Sequence, residues 1–166
     1  KSYGKEDPFT LTAGIGGGPC PPDRAPFHPA AESGTLNRNA GSFSPFYLHL
    51  TRSDEEQEIT SYSTTLPKGL LGAIKGVPFC PESAIQAAAG NSGFAETADP
   101  SCPEAAKIGK TTAGYGLGSV LAYAPGNLYL AGPYNGSPLS VVAVDSTTIN
   151  PFNLDIIIIH STIRVD

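Results

Sequence analysis

The sequence predicts a mainly β domain, an antiparallel Ig-like β-sandwich with a short, disulfide-tied helical excursion. Three observations point there. Apolar runs are short and several alternate strictly with polar residues, the period of a half-buried strand. The chain holds 19 Gly and 16 Pro among 166 residues, too many for a helical bundle and normal for strands joined by many turns. Charged residues make up only 15%, against about a quarter in an ordinary domain.

The first strand signal is "PFTLTAG" (8–14), with Phe9 and Leu11 on one face. From 14 to 41 the chain is punctuated by Gly and Pro, so a loop or linker is expected rather than regular structure. The domain reading is therefore 1–42 as a short N-terminal strand plus Gly/Pro-rich linker, and 43–166 as the β-sandwich. "SPFYLHLTR" (44–52) alternates Phe46, Leu48 and Leu50 against Tyr47, His49 and Thr51, a half-buried antiparallel strand. "SDEE" makes a charged turn, and "QEITSYSTTLP" (57–67) reads as the returning strand of a hairpin. "KGLLGAIKG" (68–76) has room for one helical turn at most, given its three glycines.

Next come two Cys-Pro-Glu motifs, at 80–82 and 102–104. Proline suits a first helical turn, where its missing N–H costs nothing, and glutamate there complements the helix dipole. A helix is expected from 81 to 89 with Gly90 as its C-cap, and a shorter one after Cys102. Beyond it, "KIGKTTAGYG" (107–116) starts as a strand and ends in a Gly-rich turn, with "AGYGLGS" (113–119) as a loop. "NLYLAG" and "LSVVAVD", joined by "PYNGSP", form a hairpin. The last run, "LDIIIIHSTIRVD", puts Ile157, Ile159, Ile163 and Val165 on one face and Ile156, Ile158, His160, Thr162 and Arg164 on the other. Apolar on both faces at its start, it reads as a central strand. The total is about seven strands.

The cysteines decide most of the chemistry. Zinc wants four ligands, usually in close pairs, and the loop between Cys80 and Cys102 contains no His. A thiol redox centre would prefer C-x-x-C. A cysteine nucleophile needs a base, and His28, His49 and His160 lie far away in sequence. A disulfide between Cys80 and Cys102 is the reading adopted: an Ala- and Gly-rich loop buries little apolar area and would fray without a tie. Such a bond persists in an oxidising compartment, placing the chain outside the cell or at its surface. Cys20 is left unpaired or with a partner outside the chain. Spacing does not determine connectivity, so pairing of Cys20 with Cys80 or Cys102 stays open.

Other features read as structure. "GIGGGP" lacks the third glycine and the following helix of a dinucleotide fingerprint. Asp54, Glu55, Glu56 and Glu58 lack calcium-loop spacing. The sequon "NGS" at 135–137 is followed by Pro138 and is already a good turn. Tyr115, Tyr123, Tyr129 and Tyr134 offer a candidate ligand surface, for a glycan above all, although cross-strand tyrosines are a common way of stabilising sheets. Lys68, Lys107 or Lys110 could meet Asn127, Asn150 or Asn153 in an intramolecular amide bond, with nothing in sequence to select a pair. No cofactor or metal is expected. Net charge is −5 without a basic stripe, which excludes nucleic acid as a partner. The longest apolar run is too short for a membrane span. The chain begins at Lys1 and has no Met, as expected of a processed or excised segment.

Taken together, "AGSFSPFYLHLTRSDEEQEITSYSTTLPKGLLGAIKGVPFC", "CPEAAKIGKTTAGYG", "LYLAGPYNGSPLSVVAV" and "PFNLDIIIIHSTIRVD" resemble a module of large secreted actinobacterial cell-surface proteins. The resemblance covers about residues 40–166. It implies export, β-rich modules and a multidomain parent, and it implies no activity. The expectation is a non-enzymatic extracellular structural module of a surface protein or filament. Its partners would be neighbouring domains or identical subunits, joined by strand exchange through "PFTLTAG" or the terminal run. The alternative is a glycan- or matrix-binding adhesin module. A hydrolase using His49 or His160 with a nearby carboxylate stands third.

Overall fold

The computed structural model describes residues 17–19, 25–66, 69, 72–117, 120–149 and 152–164. The expected strand at 8–14, Cys20 and Lys68 lie outside them. The described residues are mainly β, with two antiparallel sheets and one disulfide. It divides into two compact units, Lys1–Leu66 and Pro67–Asp166.

In the first unit, β1 (Ala30–Thr35) pairs antiparallel with β2 (Phe46–Thr51), from Ala30↔Thr51 to Thr35↔Phe46. β2 falls where alternation put it, but it is not half-buried as expected: both faces are exposed, with Leu50 alone partly covered. β1 does not fall on an expected strand: its sequence, AAESGT, has no strand propensity and lies within the expected linker, so the boundary expected near residue 42 falls inside this hairpin. Pairing supplies what propensity lacks. The Tyr47 ring lies over Gly34, 3.1 Å from where a Cβ would sit, and its hydroxyl donates to Glu32 Oε1. The returning strand expected at 57–67 is also corrected, since 57–66 carries no regular structure. Instead, Gln57 clasps the chain before β1 through two bonds, its N–H to Pro26 O and its side-chain amide to Ala25 O.

In the second unit, α1 (Glu82–Gly90), α2 (Gly93–Ala98) and a 3-10 turn (Glu104–Ala106) precede a four-stranded meander, β3 (Lys107–Leu117), β4 (Val120–Ala131), β5 (Leu139–Ile149) and β6 (Phe152–Ile163), in that spatial order. α1 and the turn after Cys102 follow the Cys-Pro-Glu grammar, with Pro81 and Pro103 as N-caps, but Gly90 is the last residue of α1 rather than its C-cap, which is Asn91. The loop expected at 113–119 is strand as far as Leu117. The β4–β5 hairpin closes on a two-residue turn in which Asn135 (φ 45°) and Gly136 (φ 78°) take the left-handed backbone that Asn-Gly favours. Tyr134 and Ser137 exchange both backbone hydrogen bonds across it.

Register assigns the faces. Tyr129, Val142 and His160 form one row; Asn127, Val144 and Ile158 the next. On this face sits the core of Cys80, Ile85, Ala88, Cys102, Ala106, Tyr129, Ala131, Val142 and Val144, flanked by Ala84, Ile156 and Ile158. The helical segment is thus the layer that covers one face of the sheet, and each large apolar side chain so buried contributes roughly 1.5–3 kcal/mol. The mainly β class and the disulfide-tied helical excursion are as expected. β6 is corrected from central to edge strand, because a meander joined by tight turns puts its last strand outside.

Candidate functional site

Cys80 and Cys102 are bonded, with Cα atoms 5.3 Å apart and both residues buried. This pairing removes the alternatives in which Cys20 bonds either of them. The Cys80 N–H donates to Leu130 O beside β4, while Cys102 stands just before β3. The bond therefore closes the helical segment at the sheet.

A second clasp lies within that segment, and sequence reasoning missed it. Glu96 on α2 is only 4% exposed. Its Oε1 accepts from the Ser101 N–H, and its Oε2 from the Ser101 hydroxyl and the Asn91 side-chain amide. Three donors compensate a buried carboxylate and draw the chain back on itself just ahead of Cys102. The Ser92 hydroxyl caps α2 by accepting from the Ala95 N–H. That serine was the available signal, but six residues are too few for periodicity to show.

The closest approach to catalytic geometry is at His160. Its Nε2 lies 3.0 Å from the Ser140 hydroxyl oxygen, so a serine–histidine pair exists. Proton accounting decides its role. The same hydroxyl is 2.6 Å from the Gly132 carbonyl, which can only accept. The single hydroxyl proton therefore goes to Gly132, and Nε2–H of His160 donates to Ser140 rather than receiving a proton from it. Ser140 is fully buried, which leaves no approach for a substrate carbonyl. Burial holds the His160 pKa below its usual value, against the opposing pull of the Glu82 carboxylate. The Tyr134 ring stacks on the imidazole at 3.6 Å between centroids, 10° from parallel. Together Ser140, His160 and Tyr134 anchor the turn to the sheet. Along that turn, from Pro133 to Pro138, lies a shallow open depression of about 370 Å³. The sequon's Ser137 hydroxyl is buried between the carbonyls of Leu139 and Ile163.

The other two histidines build no site. His28 offers its backbone N–H to Glu56 Oε1, with its ring 3.9 Å from that carboxylate. His49 is exposed on β2 opposite Glu32. In the acidic run, Glu56 is engaged by the backbone N–H groups of His28 and Ser53. Among the described residues no group of His, Cys, Asp and Glu is arranged to hold a metal, and no helix is long and apolar enough to cross a membrane.

The four tyrosines are not brought together, which corrects the expectation of one ligand surface. Tyr129 is completely buried in the helix-covered core, where burial raises its pKa. Tyr115 pairs with Ala122 and Tyr123 with Gly114, so these two point to opposite faces of the β3–β4 ribbon. Tyr134 lies beyond the far end of β4, stacked on His160. Only Tyr123, 63% exposed beside Val120 (81%) and Leu121, offers itself to solvent. Of the amide-bond candidates, Lys110 and Asn127 are cross-strand neighbours, but Lys110 is exposed and Lys107 pairs with Glu104.

Asp145 is the remaining unusual group. It pairs with Gly126, which pairs in turn with Thr111, so the three share one row on the face away from the helices. A Cβ at Gly126 would collide with the Asp145 carboxylate and lie 2.7 Å from its Cα, so the glycine makes room for the acid. Asp145 is 2% exposed, and neither its Oδ1 nor the Thr111 hydroxyl has a hydrogen-bond partner. Burial raises the Asp145 pKa, and the nearby Thr111 hydroxyl opposes the shift. β4–β5 pairing ends at this row, so Val120–Pro125 is paired with β3 alone.

The chain matches no family model, and no curated protein or solved structure similar to it is found.

Proposed function

We propose that this chain is a non-enzymatic structural module of an exported surface protein or a self-assembling filament. The observation that carries the reading is the buried Cys80–Cys102 bond, which ties the layer covering the sheet to the sheet itself. A fold stapled in this way suits a compartment where disulfides persist. The serine–histidine pair supports a scaffold role because both groups are committed to anchoring a turn. Neighbouring domains or identical subunits are the partners this reading requires. Exchange of the terminal run between subunits must first open its ten registered pairs with β5, whereas joining at a sheet edge leaves them in place. The test is intact mass of native material from the secreted or cell-surface fraction, alkylated without prior reduction. Cys80 and Cys102 should remain unmodified; alkylation of both would overturn the reading.

One observation favours a second reading, an adhesin module that binds glycan or matrix. Tyr123 and Leu121 project exposed apolar side chains from one face of a ribbon that carries no charge between Thr111 and Asn127. A glycan array should then show hits that Tyr123→Ala abolishes, and an array without hits removes this reading.

A further inference from the structure

We propose that β6 is a self-association edge, along which two copies of the chain pair antiparallel with Ile159 of one opposite Ile159 of the other. The inference rests on the building-block reading above and names its partner. The two edges of the sheet differ. β3, one edge, carries the devices that natural sheets use against unwanted pairing. It has two lysines at 107 and 110, glycines at 109, 114 and 116, and a register shift between Lys107 and Gly109. β6, the other edge, runs for 12 residues. From Asp155 to Ile163 it contains no proline, no lysine and no glycine. Its irregularity against β5 is confined to the start, opposite Ser146–Thr148, so Ile156–Ile163 keeps one unbroken register. Among the described residues no strand lies beyond it. A long, regular, apolar edge of this kind is a template for another strand.

Charge order selects a second copy and its direction. Asp155 stands at one end of the run and Arg164 at the other. Parallel in-register pairing sets Asp155 against Asp155 and Arg164 against Arg164, whereas an antiparallel self-pair separates the like charges and sets Asp155 across from Ile163 of the other copy. A two-fold axis normal to the sheet keeps each face continuous, so opposed residues must share a face. Centring on Ile159 satisfies this and sets Ile158 of each copy opposite His160 of the other. It also covers Ile159, the one isoleucine of Ile156–Ile159 and Ile163 whose side chain is exposed, at 44%. The four-stranded sheet then continues as eight strands across the axis.

Sedimentation velocity on the intact chain over about 1–100 μM should show mass rising from one chain to two. Ile159→Lys, a change at an exposed side chain, should keep the far-UV circular dichroism and the disulfide while the mass stays at one chain throughout. Register is read by cysteine cross-linking with oxidised glutathione, against the unmodified chain as control. Ile159→Cys should give a covalent dimer, whereas Ile157→Cys should not, because its two copies lie about 13 Å apart along the strands. A wild-type monomer at every concentration, a dimer that survives Ile159→Lys, or equal cross-linking at 157 and 159 would each overturn the proposal. The module reading fails separately: a monomer with an oxidised Cys80–Cys102 sinks only the edge pairing. A dimer whose native thiols are reduced sinks the exported module and leaves the edge.

Discussion

Reducing the Cys80–Cys102 bond should destabilise the second unit by an amount that follows from the chain it closes. The two residues are 22 apart in sequence, and a loop of that length restricts the unfolded ensemble by about 3 kcal/mol at 25 °C in the entropic account. A domain of this size has a total stability of roughly 5–15 kcal/mol, so the loss is a large fraction of the whole. Urea unfolding followed by far-UV circular dichroism, with and without dithiothreitol, reads it directly. The midpoint should fall by about 1–3 M for a typical denaturant slope. Reduction leaves both sulfurs in place and isolates the covalent link. The double variant Cys80→Ala, Cys102→Ala should lose more, because both side chains are buried and their removal opens space in the core. Hydrogen exchange should place the damage: amides of α1 and α2 lose protection while the β4–β5 ladder keeps its own. If reduced and oxidised protein unfold within about 1 kcal/mol of each other, the helical layer holds itself in place and the staple argument fails.

Three further outcomes are expected. Glu96→Gln should cost roughly 1–3 kcal/mol, since an amide nitrogen replaces an acceptor of the Ser101 and Asn91 donors; the Ser101 amide should lose exchange protection first. Asp145→Asn should stabilise the protein at neutral pH. With the acid's folded pKa raised, the native state binds a proton more tightly than the unfolded one. Wild-type stability should therefore rise as pH falls through the folded pKa toward about 4, and the variant should lack that rise. His160 has the opposite sign. Its folded pKa is lowered, so acidification below about 6.5 protonates the unfolded chain first and should cost stability, a loss that His160→Gln removes from a pH series of urea midpoints.

Strands with an alternation of their own and helix starts with a capping residue of their own were legible in the amino-acid order. Phe46–Thr51 alternates, Asn135-Gly136 dictates a tight hairpin turn, and each Cys-Pro-Glu opens a helical turn; these are local preferences of backbone and side chain. The Cys80–Cys102 pairing was legible for a related reason, since an Ala-rich excursion has too little apolar surface to hold itself. Whatever depends on neighbours remote in sequence was set by the folded chain. β1 forms from AAESGT because β2 offers it a ladder, and residues 57–66 stay irregular while Gln57 bonds the chain before β1. Glu96 tolerates burial because Asn91 and Ser101 converge on it. Asp145 fits into the sheet because a glycine faces it on the next strand. Ser140 and His160, 20 residues apart, meet through the β5–β6 register, and Gly132 settles where their proton goes. Side-chain alternation tells which residues share a face, but it is silent on what covers that face, and the answer here was a helical layer on one side of the sheet and, among the described residues, an unpaired edge at β6.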